Sequence, residues 1–149
     1  MKVKWLGHAC FLITADSGLK IVTDPYEAGF RGLINYGPVK EAADIVTTSH
    51  QHGDHNYTAD LQGNPEVVSG AGTHMVKGVE FVGTACYHDK ASGGERGENT
   101  VFTFKVDGVR LCHCGDLGHP LDDAALGSIG RVDVLLVPTG GPAATLEME

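Results

Sequence analysis

Three imidazoles and one carboxylate fall within six consecutive positions of this 149-residue chain. They belong to His50, His52, Asp54 and His55. The cluster directly follows residues 45–48, an apolar run typical of a strand. Imidazole nitrogens and carboxylate oxygens together suit zinc or a neighbouring transition metal, and Gly53 favours a backbone turn that lets the ligands converge. The segment therefore predicts a metal site.

A second set of potential ligands lies downstream, which a solvated His-rich loop would not explain. His88 ends one apolar run, and another ends in Cys112, His113, Cys114 and Asp116. Neighbouring side chains of a strand point to opposite faces, so the two cysteines share a face and His113 takes the other. A Cys-x-Cys zinc clamp is geometrically open, although small core cysteines are the simpler interpretation.

These patterns resemble the metallo-β-lactamase superfamily, whose signature is HxHxDH after a strand, with a later His and a later Asp. The resemblance runs nearly end to end and favours the branch that contains L-ascorbate-6-phosphate lactonase and uncharacterised metal-dependent hydrolases. Beyond the His cluster, it rests on residues 5–13 (WLGHACFLI), 21–25 (IVTDP), 113–119 (HCGDLGH) and 134–141 (VLLVPTGG). The signature is specific to the superfamily and much less specific to one substrate.

The resemblance implies a centre that binds one or two ions. The expected ligands of the first ion are His50, His52 and His88. Asp54 and His55 would bind the second ion, and Asp116 would bridge the two. His88, as a lone His at a strand end, has the alternative of a hydrogen-bonded structural role. Zn²⁺ is the expected ion, and Mn²⁺ or another divalent transition metal is the alternative.

The same resemblance implies hydrolysis of a small ester, lactone or phosphoester. A metal-bound hydroxide would attack a carbonyl carbon or a phosphorus atom, and Asp54 and Asp116 are the predicted catalytic carboxylates. With a single ion bound, Asp54 would instead orient the attacking water. The expected partner is a small-molecule substrate.

Five further residues are expected around the ligands or at the substrate. They are His8, Asp24, Arg96, His113 and His119. Asp24 would fix the tautomer of a ligand imidazole, or would simply serve a Thr-Asp-Pro turn. Arg96, in the Gly-rich segment 92–99, would pair with a phosphate or carboxylate, or would be a solvated loop residue. His113 and His119 would line the pocket or cap loops, and His74 is expected at the surface.

Short β-strand patterns dominate the chain, and the resemblance implies an α/β (α+β) fold of the αββα-sandwich type. The expected strands are 3–6, 10–14, 19–23, 45–48, 66–69, 79–86, 100–104, 109–113 and 132–137. Hairpin turns are expected at 16–18 and 107–108. Residues 24–38 read as a loop, 39–44 as a short helical turn and 122–126 as a helix.

Length and charge limit the remaining possibilities. A chain of 149 residues and 15.7 kDa suggests a single domain, 1–149. Its net charge of −8 argues against a nucleic-acid or anionic-membrane surface, and a nuclease is accordingly less attractive. The sequence offers no signal peptide and no apolar run long enough to cross a bilayer. Reduced thiols and a cytoplasmic location are expected for the four cysteines.

The end of the chain departs from the family pattern. Thr145 resembles a helix N-cap, yet the sequence ends at Glu149, and no residue matches the final His of the family. We therefore expect a C-terminally incomplete domain with weak or absent activity, whose unpaired sheet edge would favour homo-oligomers. The alternative function is a non-catalytic metal-binding or partner-assembling fragment.

Overall fold

Two five-stranded sheets form the frame of the molecule, and the computed structural model describes residues 1–140 and Thr145. The first sheet has the order β1-β2-β3-β4-β5. Its strands are β1 (Lys2–Gly7), β2 (Cys10–Thr14), β3 (Lys20–Thr23), β4 (Ala42–Thr48) and β5 (Gln62–Ser69). The first three strands form an antiparallel meander, whereas β4 runs parallel to both β3 and β5.

The second sheet has the order β10-β9-β8-β7-β6, antiparallel except for the parallel pair of β9 and β10. Its strands are β6 (Gly72–Val76), β7 (Val79–Tyr87), β8 (Glu98–Val106), β9 (Val109–His113) and β10 (Val134–Leu136). Asp107 and Gly108 both have positive φ angles, 50° and 82°, as a two-residue hairpin requires. The hairpin predicted at this position is confirmed.

Three apolar clusters hold these layers together. The largest lies between the sheets and combines residues such as Ile21 and Ile45 with Phe81, Phe102 and Leu111. A second cluster packs the segment after β3 against the outer face of the first sheet. The third packs the helix α1 (Asp123–Ile129) against the outer face of the second sheet. Both sheets are therefore fixed along their length, and the loops at their strand ends are held at defined positions.

The helical turn predicted for residues 39–44 is wrong, because β4 already begins at Ala42. Ala42 and Ala43 pair with β5, and the Asp44 carboxylate accepts the Lys20 backbone N–H at 2.8 Å. Sheet pairing thus overrides the local helical preference of this segment. The expected loop 24–38 contains one short 3₁₀ turn, Phe30–Gly32.

Strand β6 was missed by the sequence analysis, and β5 begins four residues earlier than expected. Neither stretch shows alternating apolar residues, since β6 contains Gly72, Thr73 and His74 and the start of β5 contains Asn64 and Pro65. Their extended form comes from pairing with β7 and β4. The expected late helix and last strand are present with shifted bounds.

Within the described part of the chain, no helix is both long and apolar enough to cross a bilayer. The helix expected to begin at Thr145 involves residues 146–149, which lie outside the described residues.

Candidate metal centre

The loops that follow β4, β7 and β9 meet at one edge of the two sheets. His50 lies two residues after β4, His88 directly follows β7, and Asp116 lies three residues after β9. The first of these strands belongs to one sheet and the other two belong to the second. The predicted site residues from three distant parts of the chain are therefore brought together.

His50, His52 and His88 form one compact group. Each can offer a ring nitrogen within 4.8 Å of the nitrogens offered by the other two. Their ring centroids are 4.6 Å apart for His50 and His52, 4.9 Å for His50 and His88, and 5.3 Å for His52 and His88. Three convergent imidazoles are a common donor set for a divalent transition metal.

The state of His50 supports metal binding by this group. Its Nδ1 lies 2.9 Å from the Ser49 hydroxyl, while its buried Nε2 has no hydrogen-bond partner among the described residues. Burial, reinforced by the charge of His55, lowers the pKa of His50 to about 3. A neutral imidazole with a buried, unpaired nitrogen fits a metal ligand, because the ion would satisfy that nitrogen.

A second group consists of His8, His55 and Asp116, whose potential ligand atoms also lie within 4.8 Å of one another. Asp116 Oδ2 is 3.1 Å from His55 Nε2 and 3.2 Å from His88 Nε2. Burial alone would raise the pKa of Asp116, but hydrogen bonds with His55 and His88 lower it far below its usual range. An ionised carboxylate of the second group thus also lies beside His88 of the first group, and its bridging role stays a prediction.

Asp24 orients His55. It is fully buried, and its carboxylate accepts hydrogen bonds from His55 Nδ1 and from the Ser49 backbone N–H, each at 2.8 Å. Nδ1 is therefore the protonated nitrogen towards Asp24, and Nε2 faces His8 and Asp116. This geometry agrees with the role expected for Asp24, which stays a prediction.

His8 lies closer to the centre than the sequence analysis placed it, with its Nε2 2.9 Å from His55 Nε2. It sits in the turn between β1 and β2, where Gly7 and His8 both have positive φ angles, 115° and 50°. The Tyr36 ring packs directly against Gly7 and leaves no room for a side chain there. The Gly-His pair at a hairpin turn was the sequence signal that could have placed His8 among the ligands.

Asp54 lies at the margin of the second group. Its Oδ2 is 3.6 Å from His8 Nε2 and 3.9 Å from His55 Nε2. Burial opposes its ionisation, but the proximity of His8 and the charge of His55 lower its pKa to about 2. Its predicted role as a ligand of the second ion stays a prediction.

Gly53 is needed in the cluster because another side chain packs closely against it, and not because of its backbone angles. Its φ angle is not in the left-handed region, but a Cβ atom there would lie 2.5 Å from the Phe30 ring. The turn itself is closed by His55 N–H and Asn56 N–H, which both donate to the His52 carbonyl. The glycine is needed for the close approach of Phe30.

The other predicted residues lie around these groups. Arg96 lines a cavity of about 420 Å³ together with His50 and His52. His113 is buried, and its Nε2 lies 2.9 Å from the Ala9 carbonyl oxygen. His119 Nε2 accepts the Tyr87 backbone N–H, which is the loop-capping alternative for that residue. His74 is half-buried in β6.

A second cavity, of about 410 Å³, borders Asp116 and His8 and has mainly apolar walls that include Trp5 and Phe11. The core cysteines lie elsewhere. Cys112 and Cys114 are buried in the cluster under α1, with their Sγ atoms 4.0 Å apart. His50 and His52 thus border the first cavity and His8 and Asp116 border the second, whereas Cys112 and Cys114 border neither.

Two residues that the sequence analysis missed organise the loops. The Asp89 carboxylate accepts four backbone N–H groups, from Ala91, Gly93, Glu95 and Arg96. Asn99, at the start of β8, hydrogen-bonds on both sides of Gly115. An Asp followed by a Gly-rich stretch was a readable signal for Asp89, whereas nothing local distinguishes Asn99.

Comparison with known families identifies the group of proteins to which the chain is related. The sequence model of the beta-lactamase superfamily domain matches residues 2–149. The chain belongs to this superfamily. The predicted superfamily is therefore confirmed. The match includes both groups described above, called the two histidine groups from here on: His50, His52 and His88 form the first, and His8, His55 and Asp116 form the second.

Relatives within the superfamily are named UPF0173 metal-dependent hydrolases. The one from Pelotomaculum thermopropionicum is 34% identical, and the match covers 99% of this chain and 78% of the relative. The one from Methanospirillum hungatei is 29% identical, and the match covers 95% of this chain and 71% of the relative.

Solved structures show the same fold. A Thermotoga maritima protein, named as a Zn-dependent hydrolase of the metallo-beta-lactamase superfamily, is 40% identical with a TM-score of 0.74. The match covers 93% of this chain and 61% of that chain. A protein named as a metal-dependent hydrolase from Parabacteroides distasonis is 17% identical with a TM-score of 0.68, over 97% and 72% of the two chains. The predicted fold class, a metallo-β-lactamase-like sandwich, is confirmed.

Proposed function

We propose that this chain binds one or two divalent ions through the two histidine groups and hydrolyses a small ester, lactone or phosphoester. The observation that carries the proposal is the position of Asp116, whose Oδ2 lies within 3.2 Å of a histidine from each group. Because these residues come from both sheets, their convergence is built into the fold and is not an accident of one loop. The names of the relatives support the same reaction class.

The ligand assignment follows from the two groups. His50, His52 and His88 would hold one ion, and His55 and Asp116, with His8 or Asp54, would hold the other. Zn²⁺ is the ion we favour, because three imidazoles with carboxylates match its preferred donors, and Mn²⁺ is the alternative. An ion bound here would act as a Lewis acid and would lower the pKa of water to near neutrality.

The chain's own residues would then orient a metal ligand and the attacking water. Asp24 keeps His55 in one tautomer, with Nε2 directed towards Asp116. The Asp54 carboxylate, ionised because its pKa is about 2, is exposed enough to accept a hydrogen bond from water. Asp54 is therefore our candidate for the residue that orients the attacking water.

An anionic substrate fits the cavity beside His50 and His52. Among the described residues that line that cavity, Arg96 is the only Lys or Arg and Glu98 the only Asp or Glu. A guanidinium can pair with a phosphate or carboxylate through two parallel hydrogen bonds. We therefore favour phosphoesters, or lactones that carry an anionic group, over neutral esters.

The experiment measures metal content and hydrolysis in the same preparations. Purified chain is stripped with a chelator, reloaded with Zn²⁺ or Mn²⁺, and assayed on chromogenic carboxylic esters, lactones and phosphodiesters. We expect weak activity that disappears with chelation and returns with metal, and that is lost in His52→Ala and Asp116→Ala. His74→Ala, in β6, is the control and should keep wild-type metal content.

Two results would contradict the proposal in different ways. A protein that binds no metal above the level of His52→Ala would rule out the metal centre. A protein that binds metal at the expected residues but hydrolyses none of the three substrate classes would instead support a metal-binding function without catalysis. Arg96→Gln separates the substrate classes further, because it should raise KM for anionic substrates and leave KM for neutral esters unchanged.

A further inference from the structure

The side chain of Asn99 forms a bridge across the backbone at Gly115. Its Nδ2 donates to the Cys114 carbonyl at 2.9 Å, and its Oδ1 accepts the Asp116 backbone N–H at 3.0 Å. The Asn99 side-chain amide thus makes the hydrogen bonds that a neighbouring strand would make to the backbone on either side of Gly115. With only 1% of Asn99 exposed, these bonds are shielded from water.

The turn that Asn99 bridges leaves little freedom for Asp116. Gly115 has a φ angle of 54°, and a Cβ atom there would overlap the Ser49 side chain and would lie 2.5 Å from Asn99 Oδ1. The backbone before Asp116 is therefore packed between Asn99 and the residue that precedes His50. A shift of the Asn99 amide would be transmitted directly to Asp116.

Asn99 also stands where the two sheets meet. It pairs with Cys86 in β7, two residues before His88. The next residue, Thr100, donates its backbone N–H to the Ser49 carbonyl at 2.9 Å, across to the loop that carries His50. The start of β8 is thus linked to all three ligand-bearing loops.

We propose that Asn99 is a positioning residue that fixes the Asp116 carboxylate between the two histidine groups. This inference rests on the proposed metal-binding function, because it assigns Asn99 a role in the binding of the ion that Asp116 would hold. Asn99 itself reaches only backbone atoms and the Cys86 sulfur in the described structure. Its effect on metal binding is therefore exerted through the backbone of Asp116.

Two substitutions separate positioning from simple filling of space. Asn99→Ala removes the hydrogen bonds to the Cys114 carbonyl and from the Asp116 N–H, together with the contact to the Cys86 sulfur. Asn99→Asp keeps the shape and the acceptor for the Asp116 N–H, but it loses the donor to Cys114 and places a carboxylate against a carbonyl oxygen. With two different substitutions, the test does not depend on Asn99→Ala alone.

Thr103→Val is the matched control. Thr103 lies in the same strand, is equally buried at 1% exposed, and contacts Arg110 through a 3.4 Å hydrogen bond. Its substitution perturbs β8 without touching the Gly115 turn. Asp116→Ala gives the reference for complete loss of the shared carboxylate.

The first measurement is calorimetric titration of the metal-free full chain with Zn²⁺, together with the visible spectrum of the Co²⁺ form. Changes in residues that orient metal ligands typically cost about 10–100-fold in affinity. We expect such a loss for the ion that depends on Asp116 in both Asn99 variants, and less than about a threefold change for the ion held by the three histidines. Thr103→Val should match the wild type at both. Wild-type binding in both folded Asn99 variants, or an equal loss in Thr103→Val, would overturn the proposal.

The second measurement is hydrogen exchange of the Asp116 backbone amide in metal-free protein. In the wild type and in Thr103→Val this amide should exchange slowly because it donates to Asn99, whereas Asn99→Ala should exchange faster. Unchanged exchange in folded Asn99→Ala would overturn the positioning role, whether or not the chain binds metal. Absence of metal binding in the wild type, with faster exchange in the variant, would instead overturn the proposed function and the metal role of Asn99, and would leave the backbone bridge established.

Discussion

His8 Nε2 and His55 Nε2 face each other at 2.9 Å, although 47 positions separate the two residues in the chain. Their rings meet edge to face, with centroids 4.6 Å apart. Since only one hydrogen can lie between two ring nitrogens at this distance, at least one nitrogen of the pair presents a lone pair to the other. His8 is therefore placed as a candidate ligand alongside His55 and Asp116.

Removing the His8 imidazole tests this placement. We expect His8→Ala to weaken binding of the second ion about tenfold or more, and to leave the ion at the three histidines unchanged. Asp54→Asn should also weaken binding of the second ion if Asp54 is a ligand, as the sequence predicts. Metal titration by calorimetry measures both. Wild-type affinity in His8→Ala would exclude His8 from the centre.

The sequence could predict where most of the candidate ligands lie, but not how close His8 lies to them. The HxHxDH cluster, His88 and Asp116 stand at strand ends, where pattern and family resemblance both apply, and the structure brings them together. His8 belongs to a hairpin turn with two positive φ angles, and the Tyr36 ring packs on Gly7 in that turn. The Gly-His pair indicates the turn, but the contact with Tyr36 and the 2.9 Å distance from His8 to His55 join distant segments and are not encoded in local sequence periodicity.

The same distinction applies to the fold. Strands rich in apolar residues, such as β2 and β9, could be predicted nearly to the residue. Strand β6 and the first half of β5 could not, because their extended conformation depends on hydrogen bonds to neighbouring strands. Asn99 is the corresponding case at the site, since its role lies in contacts with residues 15 and 17 positions away.

Stability of the metal-free protein should fall as the pH rises above neutrality. Burial opposes protonation of His55, but hydrogen bonds to Asp116 and Asp24 outweigh it and raise its pKa from 6.5 to about 10. The folded state thus binds this proton more tightly than the unfolded chain. Its stabilising contribution is complete below about pH 6.5 and is lost progressively as the pH rises to about 10.

Urea denaturation of chelator-treated protein across this pH range measures the effect. His55→Gln is the comparison, because the Met1 amino group, whose pKa is raised by Asp16, changes stability in the same direction. We expect a steeper loss of stability with pH in the wild type than in His55→Gln. Equal slopes would contradict the ion pairs assigned to His55.

The loop between His88 and β8 should depend on Asp89. Burial opposes ionisation of Asp89, but hydrogen bonds from the backbone N–H groups of Arg96, Gly93, Glu95 and Ala91 lower its pKa. Asp89→Asn replaces one acceptor oxygen with a donor, so part of this set must be lost. We expect faster amide exchange and faster proteolysis within residues 89–97.

Asp122→Asn is the control for the loop experiment. Asp122 also accepts a backbone N–H, from Ala125 at the start of α1, and Asn is an equally good N-cap residue. This variant should leave the loop unchanged. Loop exchange that is identical in Asp89→Asn and the wild type would show that the four hydrogen bonds do not hold the loop.

Gly118 should tolerate no side chain, because it is packed against the backbone of His88. A Cβ atom there would overlap the His88 carbonyl group and would lie 2.6 Å from the Asp89 nitrogen, while the Gly118 N–H donates to Tyr87. Gly118→Ala must therefore push the loop that carries Asp116 away from His88. We expect a loss of about 1–3 kcal/mol in the free energy of unfolding, and weaker binding of the ion shared through Asp116.

Gly127→Ala is the matched substitution for Gly118→Ala. Gly127 lies inside α1, and a Cβ atom there would meet nothing within 4 Å. Ala in a helix interior is favoured over Gly by about 0.5–1 kcal/mol, so this variant should be more stable than the wild type and should bind metal unchanged. Urea denaturation and metal titration of both variants provide the test. If Gly118→Ala were as stable as Gly127→Ala, the close contact between the Asp116 loop and His88 would not exist in solution.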